Sequence, residues 1–376
     1  MAAPLPSETD ILIVGAGIAG ASLAASIAPF RRVLMIEAED GPGYHATGRS
    51  AAFWQESYGG TGVQPLTAAS FDTLAKPDPA FSDRAFLSPR TAVMLGRRNE
   101  AAAIDGFVAE FTAQGVEVAR LSPGALADQI PGLDPAWSEA AFEPSCRDID
   151  VAALHAAYLR AAKRGGASLA VRTPLLSARR GGGGWMVETG QGAIRAAVII
   201  NAAGAWADRI ALACGSAPVG IQPYRRTLVQ VRLGVPTPAA LPLIGHIGGD
   251  FYFKGEGEGR IWLSPHDEAP SDPCDAAPEE IDVAMAIDRL QSVVDWSIAA
   301  VERKWAGLRS FTPDRLPVFG FDPAIPDFFW CAGQGGFGIQ TAPAIAALAA
   351  AQLGGPVPDG AIGAIDPLAY APSRFA

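Results

Sequence analysis

The hydrophobic pattern changes period twice between residues 11 and 36. Ile11, Leu12, Ile13 and Val14 form a short apolar run without polar alternation, which predicts a strand buried on both faces. Residues 18–28 carry small apolar side chains at helical spacing, and Pro29 predicts the stop. A second apolar run at residues 33–36 closes a β-α-β unit and ends in Glu37. Period-two alternation returns in "TLVQVRL" and "RIWLS", which predicts an antiparallel sheet. "PEEIDVAMAIDRLQSVVDW" predicts an amphipathic helix, and "TAPAIAALAA" an Ala-rich one. "RRGGGGW" at 179–185 predicts a turn between strands, because no helix follows it. "GEGEGR" at 255–260 predicts a hairpin or mobile loop, and "EAPSDPCDAAPEE" a surface connection.

Gly15, Gly17 and Gly20 stand between the first strand and the first helix as G-x-G-x-x-G. The first permits a tight turn, the second lets backbone approach a pyrophosphate, and the third lets helix pack on strand. A helix N-terminus favours the phosphate charge. Glu37 closes the unit where a carboxylate accepts bonds from an adenosine ribose, which favours FAD or NAD over NADP.

Composition narrows the reading. The chain has 376 residues, 49% hydrophobic and 18% charged, which is globular. A net charge of -10 argues against nucleic acid or an anionic membrane surface as partner. No apolar run reaches the roughly 20 residues of a transmembrane helix. "MAAPLPSETD" does not read as a signal peptide, and Cys146, Cys214, Cys274 and Cys331 form no CxxC, so a reduced, cytoplasmic setting is expected. His45, His155, His246 and His266 show no metal-ligand spacing, and no metal is expected.

Between Glu37 and the next regular element lies "GPGYHATGRSAAFW", which has neither helical nor strand period. This stretch resembles the flavin-side loop of the D-amino acid oxidase and glycine/sarcosine oxidase superfamily. The resemblance continues through "GAGIAGAS", "VLMIEAE", "DIDVAALHAAYLRAAKRGGASLAVRTPLL", "AAVIINAAGAWADRIA", "KWAGLRSFTPDRLPVFG" and "CAGQGGFGIQTAPAIAALAA", nearly the whole chain. "PGYHATGRSAA", "LTAAS", "WAGLRSF" and "QGGFGIQT" look most like the D-arginine and broad-range D-amino acid dehydrogenases within it.

The resemblance implies an α/β (α+β), two-domain flavoprotein. A Rossmann-like FAD domain of the glutathione-reductase type is expected from residues 1–55, 145–220 and 325–376. An antiparallel-sheet substrate domain is expected from 56–144 and 221–324. The cofactor-binding set it implies begins with Gly15, Gly17, Ala19, Gly20, Glu37 and Ala38. It continues with Ala46, Thr47, Gly48, Arg49, Ser50, Ala51 and Ala52, of which Gly48, Ser50, Ala51 and Ala52 let a planar ring lie against backbone and Thr47 and Ser50 supply hydroxyl partners. Leu175 and Gly204 follow, then Gly335, Gly336, Phe337, Gly338, Ile339 and Gln340, where glycine amides and a helix N-terminus suit reduced flavin. Arg49 fits either a phosphate contact or a pair with an acid, and His45 either a loop hydrogen bond or a catalytic role.

For the reacting groups, the resemblance places Arg309 as the carboxylate clamp and Arg226 as a second active-site arginine, with Tyr252 and Tyr58 as active-site tyrosines. An arginine fork suits a carboxylate. Two departures bear on the substrate pocket, to which Gly336 also belongs. D-arginine dehydrogenase carries a histidine after "GRSAA" and a glutamate soon after "LSPR", whereas this chain has Phe53 and Ala92. The covalent-flavin sarcosine oxidases carry a cysteine where Arg309 aligns, so noncovalent FAD is expected. Their oxygen-activating lysine has no counterpart in "GRIWLSP", which favours a dehydrogenase with a separate electron acceptor. The expectation is oxidative deamination of neutral or apolar D-amino acids to 2-oxo acid and ammonia. The alternatives are a glycine/sarcosine-type oxidase releasing hydrogen peroxide, a 2-hydroxy acid dehydrogenase and a flavin-binding subunit without turnover.

Overall fold

The computed structural model describes residues 5–236, 240–257 and 259–376. The opening four residues, read above as part of an N-terminus without a signal, and Glu258 of "GEGEGR" lie outside them.

The first β-α-β unit forms where the pattern predicts it: strand Glu8–Val14, helix Ile18–Ile27 and strand Val33–Ile36. The strand begins three residues early, because Glu8 and Thr9 pair with Arg195 and Ala196 of strand Gly192–Asn201. Strand Ser168–Ala170 flanks Val33–Ile36, and Phe328–Ala332 flanks the far end of Gly192–Asn201, all in parallel register. Val14 lies level with Ile36 on one side and Asn201 on the other, so three C-terminal strand ends form one edge. Ligands bind at such an edge in open α/β sheets.

Both faces of this sheet are covered, which explains its unbroken apolar runs. Ile11, Ile13, Val33 and Met35 pack on one face against Leu23 and Ile27 of the first helix and Ile345 and Leu348 of helix Gly338–Gln352. Leu12, Val14, Leu34 and Ile36 pack on the other face against Trp185, Ile199 and Trp330. Each buried Leu or Ile stabilises the fold by about 1.5–3 kcal/mol. Gly182 and Gly183, at φ 62° and 82°, turn strand Leu175–Gly181 back into Gly184–Thr189, the tight turn expected from "RRGGGGW".

The second sheet is built on one long ribbon, Gln222–Leu233 against Ile298–Phe311. Arg260–Ser264, Tyr252–Gly255, Leu243–His246, Ala92–Gly96, Glu139–Glu143 and Ala119–Arg120 extend it. It is antiparallel except at Leu243–His246 with Ala92–Gly96, strands far enough apart in sequence for a crossover. Helix Glu280–Gln291 covers it through Val283, Ala286 and Leu290. Helix Gln64–Ala75 packs with the first sheet instead, through Leu66. A small sheet of Phe53–Trp54, Arg147–Ile149 and Leu87–Pro89 receives the end of the 41–54 loop. Among the described residues no helix is long and apolar enough to cross a membrane.

Candidate active site

The turn after the first strand is built for close approach. Gly15 has φ 102°, and a Cβ there would stand 2.5 Å from the Ala202 carbonyl oxygen. A Cβ on Gly20 would come 2.0 Å from the Gly15 oxygen, so Gly20 seats the helix on the turn. His155 locks the other side, its Nε2 lying 2.9 Å from the Ala16 oxygen. Burial lowers its pKa and keeps the imidazole neutral. The spacing of His155 carried no signal of this contact.

Glu37 ties the strand ends together. Its Oε2 accepts from Ala16 N at 3.0 Å and its Oε1 from Glu39 N at 3.1 Å. A carboxylate has about four acceptor positions, so two remain open. Thr47 Oγ1 accepts from Ile18 N at 2.9 Å, which fastens the 41–54 loop to the helix start.

One cavity of about 440 Å³ runs along this edge. Glu37, Ala38 and Leu175 line one end; Gly15, Gly17, Ala19, Ala46, Thr47 and Gly204 line the middle. Ser50, Ala51, Gly335, Gly336, Gly338 and Ile339 line the other end, together with Arg226, Tyr252 and Arg309. Gly20, Gly48, Ala52, Phe337 and Gln340 do not line it. Gly48 is fixed by the turn, since a Cβ would meet the Gly43 oxygen at 2.7 Å. Ala52 packs with Ile18 and Trp54, and Phe337 with Val63 and Phe311. Gln340 is 1% exposed and spends its amide on protein: Oε1 accepts from Gln55 N at 3.1 Å and Nε2 donates to Thr67 Oγ1 at 2.8 Å. These five support the walls rather than the contents of the cavity.

Arg49 lines the cavity, but its guanidinium is engaged elsewhere. It pairs with Asp275, and its Nη1 donates to the carbonyls of Ala276 at 2.8 Å and Ala306 at 3.0 Å. The pair with Asp275 is one of the two roles open to it. His45 bonds Glu39 through Nε2 at 2.9 Å and rests 4.5 Å from the Trp206 ring.

The long ribbon assembles the reacting end. Tyr224 pairs with Arg309, and Arg226 pairs with Gly307. Paired residues share a face, and so do alternate residues along a strand, so Arg226 and Arg309 are diagonal neighbours. Arg309 lies 5.8 Å from the Tyr58 ring and 6.0 Å from the Tyr252 ring. Burial opposes its charge, but Tyr58, Tyr252, Glu268 and Asp267 outweigh that, and its pKa stands above the ordinary value. Arg226 is 2% exposed, and burial, then the Arg309 charge, lowers its pKa to about 10. Its Nε donates to the Asp267 carbonyl at 2.8 Å and an Nη to Glu268 at 3.3 Å. The other nitrogen, Nη1, is buried without a partner. A buried donor left unpaired costs about 1–3 kcal/mol.

Gly336 wedges between the clamp and a tyrosine: a Cβ would stand 2.1 Å from Tyr58 Oη and 3.0 Å from Arg309 Cζ. Gly335, at φ 49°, leaves room for the Phe311 ring. Phe53 packs on Tyr58 at 5.2 Å and faces Tyr252 at 6.3 Å. Tyr58 and Phe53 flank the cavity from behind these residues. Ala92 does not reach it. It is 1% exposed, packed behind Ala51 and Tyr252 and paired with Glu143, so it is a core position rather than a pocket wall.

Two groups at this end carried no clear sequence signal. Glu143 is 2% exposed and accepts from Glu56 N at 2.9 Å, Gln55 Nε2 at 3.0 Å and Ser57 Oγ at 2.5 Å, so it holds the loop that carries Tyr58. His266 stands edge-on to Tyr252 at 5.7 Å, and its Nδ1 meets the Gly249 carbonyl. Burial, then Arg226 and Arg309, push its pKa down to about 2, so the ring is neutral and Nδ1 is the donor.

Fold and site together define a dinucleotide-binding oxidoreductase. The chain belongs to the family of FAD dependent oxidoreductases, whose model matches residues 10–352. It is 28% identical over 171 residues to FAD-dependent oxidoreductase domain-containing protein 1 of Bos taurus, covering 40% of this chain and 34% of that protein. The chain thus spans about a third of the length of that relative. It is 25% identical over 349 residues to the glycine oxidase of Geobacillus kaustophilus (strain HTA426), covering 89% of this chain and 90% of that one. The crystal structure of L-proline dehydrogenase from P. horikoshii has the same fold, with TM-score 0.83 at 21% identity over 99% of this chain and 98% of that one. FAD is the cofactor of this family. The residues present fit it: glycines clear the turn, and the cavity is unbroken from Glu37 to Arg309.

Proposed function

We propose that the protein is an FAD-dependent dehydrogenase that deaminates neutral and apolar D-amino acids. The observation that carries this reading is the pair of guanidiniums at the end of the cofactor cavity, Arg226 buried with an unpartnered Nη1 and Arg309 half-buried between two tyrosines. A planar fork with unmet donors suits a carboxylate. The motif resemblance to D-amino acid dehydrogenases supports the D configuration.

In this reading Arg309 and Arg226 hold the α-carboxylate, and Tyr252 and Tyr58 bound the α-carbon. FAD, when bound, supplies the two-electron oxidation of the Cα–N bond. The two guanidiniums favour a neutral substrate amine by like-charge repulsion, and the released proton leaves to water. Phe53 and Tyr58, packed behind the cavity wall, make that side of this end apolar. The imino product then hydrolyses to a 2-oxo acid and ammonia. Electrons leave through an acceptor outside this chain. Bound FAD is noncovalent in this reading, since Arg309 stands where covalent-flavin relatives carry a cysteine. The setting expected from the cysteines is cytoplasmic.

The likeness to glycine oxidase favours a second reading, oxidation of glycine or a secondary amine with release of peroxide. A panel of D- and L-amino acids, glycine and sarcosine, assayed with an artificial acceptor beside a peroxide assay, separates the two. Acceptor reduction with D-leucine or D-methionine and no peroxide supports the dehydrogenase. Turnover confined to glycine or sarcosine with stoichiometric peroxide establishes the alternative, and turnover of L-amino acids alone overturns the configuration.

A further inference from the structure

Three residues after strand Arg260–Ser264, "HDE" at 266–268, do more than connect it to the short strand Ala269–Pro270. His266 has φ 52°, a left-handed conformation that a side chain of this size rarely adopts. The turn it makes brings the next two residues antiparallel to Gln222–Leu233. Ala269 pairs with Arg225, which sets Glu268 beside Arg226 and Asp267 beside Thr227. Asp267 is then fixed by two bonds, accepting from Thr227 N at 2.7 Å and Thr227 Oγ1 at 3.0 Å.

Arg226 rests on this segment. Its Nε donates to the Asp267 carbonyl at 2.8 Å, and Nη2 to Glu268 Oε1 at 3.3 Å. The same Glu268 oxygen accepts from Arg315 at 2.8 Å. Arg315 is itself held, its guanidinium 3.8 Å from the Phe311 ring and its backbone at φ 63°. Two of the three nitrogens of Arg226 are therefore committed to one segment, and the third, Nη1, is buried and unpartnered on a residue that lines the cavity. A guanidinium is planar, so anchoring two nitrogens fixes the direction of the third.

We propose that residues 266–268 form a cradle that fixes the Arg226 guanidinium at the cavity wall and leaves Nη1 for the substrate, with Glu268 as its positioning residue and Arg315 as the outer stay. The proposal rests on the reading that Arg226 binds the substrate carboxylate. Glu268 touches neither substrate nor cofactor; it acts through Arg226. Its contribution is to carboxylate affinity and not to the oxidation itself, so it separates KM from kcat.

The test uses the FAD-loaded enzyme and benzoate as a carboxylate probe, read by the change in flavin absorbance, together with steady-state kinetics on the best substrate of the panel. Glu268→Ala is expected to raise the benzoate Kd and the substrate KM by roughly tenfold, the loss of one hydrogen bond to a charged partner. FAD content stays unchanged and kcat moves by less than about twofold. Glu268→Gln keeps an acceptor oxygen and is expected to restore part of the affinity. Arg315→Met, at a half-exposed position, moves Kd in the same direction by less, and it decides the matter if Glu268→Ala does not fold. Unchanged Kd in both variants overturns the cradle, as does a parallel fall in kcat and affinity with loss of FAD. Arg226→Met separates the two levels. If it leaves benzoate affinity intact, the carboxylate role of Arg226 is wrong. If it abolishes that affinity while the Glu268 and Arg315 variants bind normally, only the cradle is wrong.

Discussion

Arg49 and Asp275 join two segments that lie 226 residues apart in the chain. Arg49 ends the short helical turn Thr47–Arg49 on the cofactor side, and Asp275 belongs to the connection leading into helix Glu280–Gln291. Tyr44 reinforces the pair by donating to Asp275 at 3.1 Å, and Trp305 donates to the Arg49 carbonyl at 3.0 Å. Tyr44, Arg49, Cys274 and Ala276 all line the cofactor cavity, so this latch covers it. Asp275→Ala is expected to keep the fold and to speed loss of FAD on dilution, measured as the rise of free-flavin fluorescence. The hydrogen bond from Arg49 lowers the Asp275 pKa below the ordinary carboxylate value. The latch is therefore intact at neutral pH and is lost only as pH falls through that lowered value. FAD retention should stay flat from neutral pH into the mildly acidic range and differ between wild type and Asp275→Ala throughout it. Equal release rates would show that the latch does not hold the cofactor.

Arg309→Met is expected to keep FAD and lose substrate affinity. Truncating one partner of a buried charge pair costs about 2–5 kcal/mol, so kcat/KM should fall by at least roughly thirtyfold. Near-normal kinetics would assign the carboxylate to Arg226 alone.

Acid precipitation is expected to release intact FAD into the supernatant. The resemblance aligns Arg309 with the linking cysteine of covalent-flavin relatives, and Cys146 and Cys331 are buried. Cys274 is exposed and lines the cavity, so flavin remaining with the pellet would direct attention to that thiol.

The first forty residues were legible because the β-α-β unit is local: apolar run, glycines, helix and acid follow one another within one stretch. The arginine pair was legible only by resemblance. Its geometry comes from the register that sets Tyr224 opposite Arg309, a pairing between strands remote in sequence. Gln340 sits in a cofactor-like motif, yet its amide faces the 55–58 loop, because one turn of helix decides which side a residue presents. Ala92 stood near a recognisable motif, but strand parity and the packing of Tyr252 place it in the core. Glu143 gave no local sign, since its partners are Gln55, Glu56 and Ser57, more than eighty residues earlier.

Glu143→Ala is expected to lower Tm and to raise KM. The substitution strands the donors of Gln55, Glu56 and Ser57 in a buried site, at about 1–3 kcal/mol for each donor that finds no water. It also frees the loop carrying Tyr58, whose carbonyl is held from the other side by Gln340 at 3.3 Å. Thermal melts read the first effect and steady-state kinetics the second. A variant with wild-type Tm would mean that water replaces the carboxylate.

Substrate preference follows from what surrounds the clamp. Phe53 lies between Tyr58 and Tyr252. The acids around this end are engaged: Glu143 with the 55–57 loop, Glu56 with Gln64 at 3.0 Å, Asp267 with Thr227, and Glu268 with Arg226 and Arg315. Burial raises the Glu56 pKa, with Gln64 opposing and Glu143 adding. A guanidinium side chain brought here would lose hydration without a partner. D-leucine, D-methionine and D-phenylalanine should therefore exceed D-arginine in kcat/KM by about tenfold or more, each 1.4 kcal/mol of uncompensated desolvation being worth one decade. Ala92→Glu should not reverse this order. Its carboxylate would enter a packed core opposite Glu143, so a lower Tm with unchanged preference is expected. Phe53→Asp is the substitution expected to improve D-arginine and D-lysine relative to D-leucine, because position 53 stands beside Tyr58. The comparison is kcat/KM for D-leucine and D-arginine across wild type and both variants. A wild type that prefers D-arginine, or an Ala92→Glu variant that gains it, would place an acid within reach of the side chain and refute the apolar pocket.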